Sequence, residues 1–99
     1  MPYIKKESRK KFSDPVDYTR ILADLIEDEG ELNYVISLLI HKVLEKWGVR
    51  YKFLCRICGV LSNVKDEFYR RVVAPYENKK IQENGCVSKL DDDWREHLR

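Results

Sequence analysis

The sequence has no apolar run approaching the roughly 18 residues that a bilayer-spanning helix needs. Its first residues, MPYIKKESRKK, are basic, but no apolar core follows them, so they do not read as a secretory signal. Cysteine is sparse and odd in number, three in 99 residues, which argues against a disulfide-stapled secreted scaffold. Together these absences point to the cytoplasm. No stretch alternates apolar and polar residues at strand length, and there are no internal repeats or low-complexity segments, so no sheet is required. GxxxxGK, GxGxxG, HExxH and GxSxG are all missing, which removes support from the corresponding nucleotide-binding, metalloprotease and hydrolase readings.

Charge is what the chain has in excess. Charged residues make up 36% of it, against an average of roughly 25%, which suits helices with solvated faces. The net charge is only +2, so there is no global signature of polyanion binding. The charges are sorted along the chain: bases at KKESRKK (5–11) and RR…KK (70–80), acids at EDEGE (27–31) and DDD (91–93). Such asymmetry allows local anion binding. A chain of this length is one domain and buries only around 60–65% of the surface its unfolded form exposes. Self-association would enlarge that core.

Residues 1–12 read as a basic, mobile arm, 13–87 as a helical domain and 88–99 as a tail. Ser13-Asp14-Pro15 is a helix start, with Asp14 as cap and proline at the first helical position. The apolar residues Val16, Tyr18, Ile21, Leu22, Leu25 and Ile26 follow on one face, and Gly30 is the expected stop. A second helix runs from about Glu31 to Trp47, its stripe passing through Leu32, Val35, Ile36, Leu39, Ile40 and Val43, with Leu38 widening it. A helix this apolar must be central or covered by another subunit. Gly48 closes it. The third helix starts near Tyr51, with Gly59 marking a close crossing or kink and Ser62-Asn63 a further interruption. Pro75 ends or bends it and opens a short fourth helix that stops at Asn84-Gly85. Asp91 would cap a terminal helix carrying Trp94 and Leu98. The fold class is therefore all-α, a small antiparallel bundle of three main helices plus a short one after Pro75, because short connections at Gly30 and Gly48 set neighbours antiparallel.

Chemistry-bearing residues are few. Cys55 and Cys58 form a CxxC that His41, Cys86 and His97 could complete as a zinc site. The pair lies mid-helix rather than in a turn, so Cys58 reads as a small core residue and no metal or cofactor is expected. Asp24, Glu27, Asp28 and Glu31 can share one helix side and hold Mg²⁺ if a second helix adds acids. That arrangement is similar to nucleoside triphosphate pyrophosphohydrolases of the MazG type, but Lys65-Asp66-Glu67 supplies no acid three residues on. A solvated acidic face is the better reading.

The densest stretch is EFYRRVVAPYENKK, 67–80. Glu67 can pair with Arg71 four residues on. Arg70 and Arg71 point about 100° apart, so one of them faces outward. Free amides near Pro75–Glu77, if a helix starts there, would sit beside the arginines and suit a phosphate or carboxylate.

GELNYVIS at 30–37 and EFYRRVVAPYENKKIQENG at 67–85 resemble a family of small uncharacterised helical proteins of bacteria and their phages, a domain of unknown function, over about residues 12–87. The resemblance implies a small helical domain and a phage or prophage origin. It brings no catalytic residues. The matching polar positions that a core does not require are Asn33, Tyr34, Glu67, Tyr69, Arg70, Arg71, Tyr76, Lys79 and Lys80, which are the candidate ligand-binding residues.

The expected function is a non-enzymatic, homo-oligomeric binding module for an anionic, nucleotide-like ligand or a host protein partner, with no membrane and no duplex nucleic acid. The alternatives are a divergent MazG-like Mg²⁺-dependent nucleotide hydrolase, and a protein- or nucleic-acid-interaction domain using the basic arm.

Overall fold

The polypeptide describes residues 4–91 in a computed structural model, and every regular element among them is helical. One turn of helix, α1 (Lys6–Arg9), runs into a 3₁₀ turn at Lys10–Phe12. The arm therefore has local structure of its own, with the Arg9 Nε–H donating to the Ile4 carbonyl at 3.0 Å. The longer helices are α2 (Tyr18–Leu25), α3 (Glu29–Trp47), α4 (Tyr51–Phe68) and α5 (Ala74–Asn84), with a π turn at Tyr69–Val73. The chain divides into two units, Met1–Leu61 and Ser62–Arg99.

In the first unit, α2 starts later than Asp14-Pro15 suggests. Its cap is Asp17, whose Oδ1 accepts from the Arg20 N–H at 3.1 Å and from the Thr19 hydroxyl at 3.0 Å. Those bonds, the backbone one foremost, hold the Asp17 carboxyl below its ordinary range. Helix α2 also ends early, at Leu25, and Gly30 is not its stop. Gly30 instead lies in the first turn of α3. Asp28 caps α3 by accepting from the Glu31 N–H at 2.8 Å, while Glu31 reaches back to accept from the Glu27 N–H at 3.0 Å. This is a variant of the capping box, in which two side chains satisfy amides that the helix leaves open.

Gly48 ends α3 as expected. Its φ of 100° with ψ of 146° is in the region essentially reserved for glycine rather than the left-handed helical well. Across this turn Trp47 and Phe53 meet with ring centroids 5.7 Å apart. Gly59 does not mark a crossing: a Cβ there would meet nothing within 4 Å. Helix α4 also continues through Ser62-Asn63 without interruption.

In the second unit α4 gives way to the π turn and α5. Gly85 ends α5 with φ 90°, again in agreement with the expected stop. Beyond it, Ser88 rather than Asp91 caps the next turn. Ser88 Oγ accepts from the Leu90 N–H at 3.2 Å, and Asp91 reaches back to the Ser88 and Val87 amides at 2.9 and 3.1 Å. Trp94, His97 and Leu98 lie outside the described residues.

The all-α class stands, since every regular element among the described residues is helical. None of the described residues is buried. Within the first unit, the short connections do not close α2, α3 and the start of α4 onto a shared core, and Ile21, Leu22, Leu25, Leu32, Ile36 and Leu39 remain 40% to 69% exposed. Cys58 is likewise exposed rather than a core residue.

Candidate functional site

The candidate residues fall into two places. Asn33 and Tyr34 are on α3 in the first unit, and the other seven belong to the second. Asn33 is engaged locally, its Oδ1 accepting from the Ser37 hydroxyl at 3.3 Å. Tyr34, 65% exposed, lines an open groove of about 470 Å³ with Leu22, Leu25, Ile26 and Val35. Asp28 and Glu31 stand at the same groove. The groove lies where α2 stops at Leu25 and the capping pair at Asp28 and Glu31 starts α3.

The corner of the second unit is built by the π turn. Proline has no N–H and its ring collides with the carbonyl four residues back, here Arg71, in a regular helix. Widening the preceding turn relieves this: the Ala74 N–H donates to the Tyr69 carbonyl, five residues back. Both Phe68 and Val73 keep right-handed helical torsions, so the backbone passes through the corner without a break. The free amides expected near Pro75–Glu77 are therefore not those of a new helix start.

The side chains at the corner are largely paired with one another. Glu67 Oε2 accepts from Arg70 Nη2 at 2.8 Å, so Glu67 braces Arg70 and not Arg71. Spacings of three and four both bring side chains together on a helix, and the nearer arginine takes the carboxylate. Lys80 lies 5.6 Å from the Tyr76 ring centroid and 3.2 Å from Glu83. Neither Arg71 nor Lys79 makes a hydrogen bond or ion pair within the described residues. Phe68, Val72 and Tyr76, at steps of four, are 59%, 55% and 60% exposed.

One residue that the sequence did not single out completes the corner. The Tyr69 hydroxyl donates to Glu77 Oε2 at 3.1 Å, spanning the π turn. That bond, then the carboxylate's charge, raises the Tyr69 pKa above its ordinary value. Eight residues is an awkward interval for a regular helix, and the extra residue of the π turn is what brings the pair together. Because the folded value lies above the unfolded one, the contact stabilises below the ordinary tyrosine range and is lost as pH rises through the raised value. Glu77→Gln should lower the pH at which Tyr69 ionises. The phenolate absorbance difference between the protein and its Tyr69→Phe variant reads this directly, and an unchanged titration would remove Glu77 as the cause.

Among the described residues no three of His, Cys, Asp and Glu converge to hold a metal ion. Cys55 and Cys58 are both exposed, and Cys86 is partly covered. Of the acids at 24–31, Asp28 and Glu31 are engaged in starting α3. No helix among the described residues is long and apolar enough to cross a membrane.

Fold and surface together define an all-helical domain whose apolar faces and charged corner are both open. The chain belongs to the family described as a domain of unknown function, DUF6899, whose model matches residues 1–87. That match takes in the basic arm, which lies largely outside the resemblance drawn from the motifs. No curated protein and no solved structure matches the chain.

Proposed function

We propose that the protein is a non-enzymatic, self-associating helical module that binds an anionic partner through the corner at 67–80. The observation that carries this reading is that apolar stripes run along α2, α3 and α4 while no described residue is buried. Large contiguous apolar surface on a soluble chain marks contact with another protein. At the corner, Arg71 and Lys79 stand beside Phe68, Val72 and Tyr76, a mixture suited to an acidic protein surface with apolar content. A nucleotide is the less favoured ligand, since the helix passes through Pro75 without presenting free amides. The MazG-like alternative gains nothing from Asp28 and Glu31, whose carboxylates are occupied as caps. A phage or prophage origin, with a host protein as the target, rests on the motif resemblance alone.

Sedimentation of the full chain over a range of concentrations tests the reading. A mass of at least two chains is expected, and a monomer at every attainable concentration would overturn it. Calorimetry against a nucleotide panel, with Arg71→Ala as control, is expected to give no heat. Heat lost in the variant would move the ligand assignment to nucleotides.

A further inference from the structure

We infer that the basic, apolar face of the second unit docks on the acidic groove of the first unit in another copy of this chain, joining copies head to tail. The inference rests on the self-associating module proposed above and names the partner of its charged corner.

The two surfaces are complementary in kind. The groove has an apolar floor of Leu22, Leu25, Ile26 and Val35, with Asp28 and Glu31 at its edge. From Ile21 to Ile40 the chain carries Asp24, Glu27, Asp28, Glu29 and Glu31 and not one lysine or arginine. Being hydrogen-bonded as a cap does not remove the charge of Asp28 or Glu31. The region is thus a negative rim around an apolar slot.

The opposing face has the reverse charge and the right shape class. Phe68, Val72 and Tyr76 make an exposed apolar row at four-residue steps along a helical segment, the pattern by which a helix lies in a groove. Arg71 follows Phe68 by three residues and Lys79 follows Tyr76 by three, so both flank the row. The cations that do have acceptors, Arg70 with Glu67 and Lys80 with Glu83, are satisfied within their own unit. Arg71 and Lys79, which flank the row, have no acceptor among the described residues. Apolar contact would supply the attraction, and the opposed charges would set register and partner choice. Such a contact uses different patches on the two copies, so its rotation decides whether a ring closes or a filament grows.

Charge reversal with rescue is the test, read by sedimentation of the full chain, with circular dichroism as the control for folding. Arg71→Glu combined with Lys79→Glu should weaken association by roughly tenfold or more. Glu27→Lys with Glu29→Lys, acids adjacent in sequence to the groove-lining Asp28 and with side chains that do not serve as caps, should do the same. Mixing the two reversed proteins should restore association, because each then offers the charge that the other lacks. Raised salt should weaken the wild-type contact. If the wild-type chain is monomeric, both this inference and the proposed function fail. If it associates but the reversals have no effect, or the mixture is not restored, this inference alone fails and other faces carry the assembly.

Discussion

Leu39→Asp should break the protein into monomers and take most of its cooperative thermal unfolding with it. Leu39 is 57% exposed on α3, and on a protein whose function required no partner an aspartate there would be harmless. The proposed assembly reverses that expectation. Covering a leucine contributes about 1.5–3 kcal/mol when burial is complete, and placing an unpaired carboxylate in an apolar contact costs several more. A net loss of about 3 kcal/mol corresponds to more than a hundredfold in dissociation constant. The concentration dependence of the melting temperature is the second readout, because chains that fold by associating unfold more readily when diluted. A variant with unchanged mass and melting behaviour would show that α3 is open in the working protein.

The second large effect is expected at Pro75. Proline in a helix interior is about 3 kcal/mol less favourable than alanine, and the π turn at Tyr69–Val73 is how the chain accommodates it. Pro75→Ala restores an N–H that can bond to the Arg71 carbonyl, so the corner should relax to a regular helix and gain as much as about 3 kcal/mol locally. Hydrogen exchange across 70–80 should slow. The Tyr69–Glu77 bond, which depends on the extra residue in the turn, should be lost, and the Tyr69 titration should return toward its ordinary position. A more stable helix would then bind its partner less well, because Arg71 and Lys79 would be rotated relative to one another. If exchange is unchanged and Tyr69 still titrates high, the turn is held by something other than Pro75.

The helical class and most stops were legible because they rest on strong local signals. Apolar residues recur at three and four, and Gly48 and Gly85 take torsions that other residues avoid. The starts were harder. Asp14-Pro15 and Asp17 are both plausible caps by residue type, and Asp17 wins by bonding the Arg20 and Thr19 groups at once. Reading Gly30 as a stop hid the Asp28–Glu31 pair that begins α3, although that pair is itself a start signal. Glycine announces a helix end only where φ is positive, and sequence does not carry φ. At the corner, the charged and aromatic residues were visible but their pairing was not. Assigning Glu67 to Arg71 assumed a regular helix up to Val73, and the Tyr69–Glu77 contact cannot be seen without the π turn. Short loops and amphipathic stripes say which faces need cover, but not whether the same chain provides it.

The lack of any buried residue among 4–91 also bears on how long such a protein lasts. A chain that becomes well folded only in company is most exposed to proteases when it is scarce, since dilution raises the unfolded share that proteases act upon. Its lifetime would then rise with its own abundance. A brief burst of synthesis would leave little behind, whereas sustained expression would accumulate a durable pool.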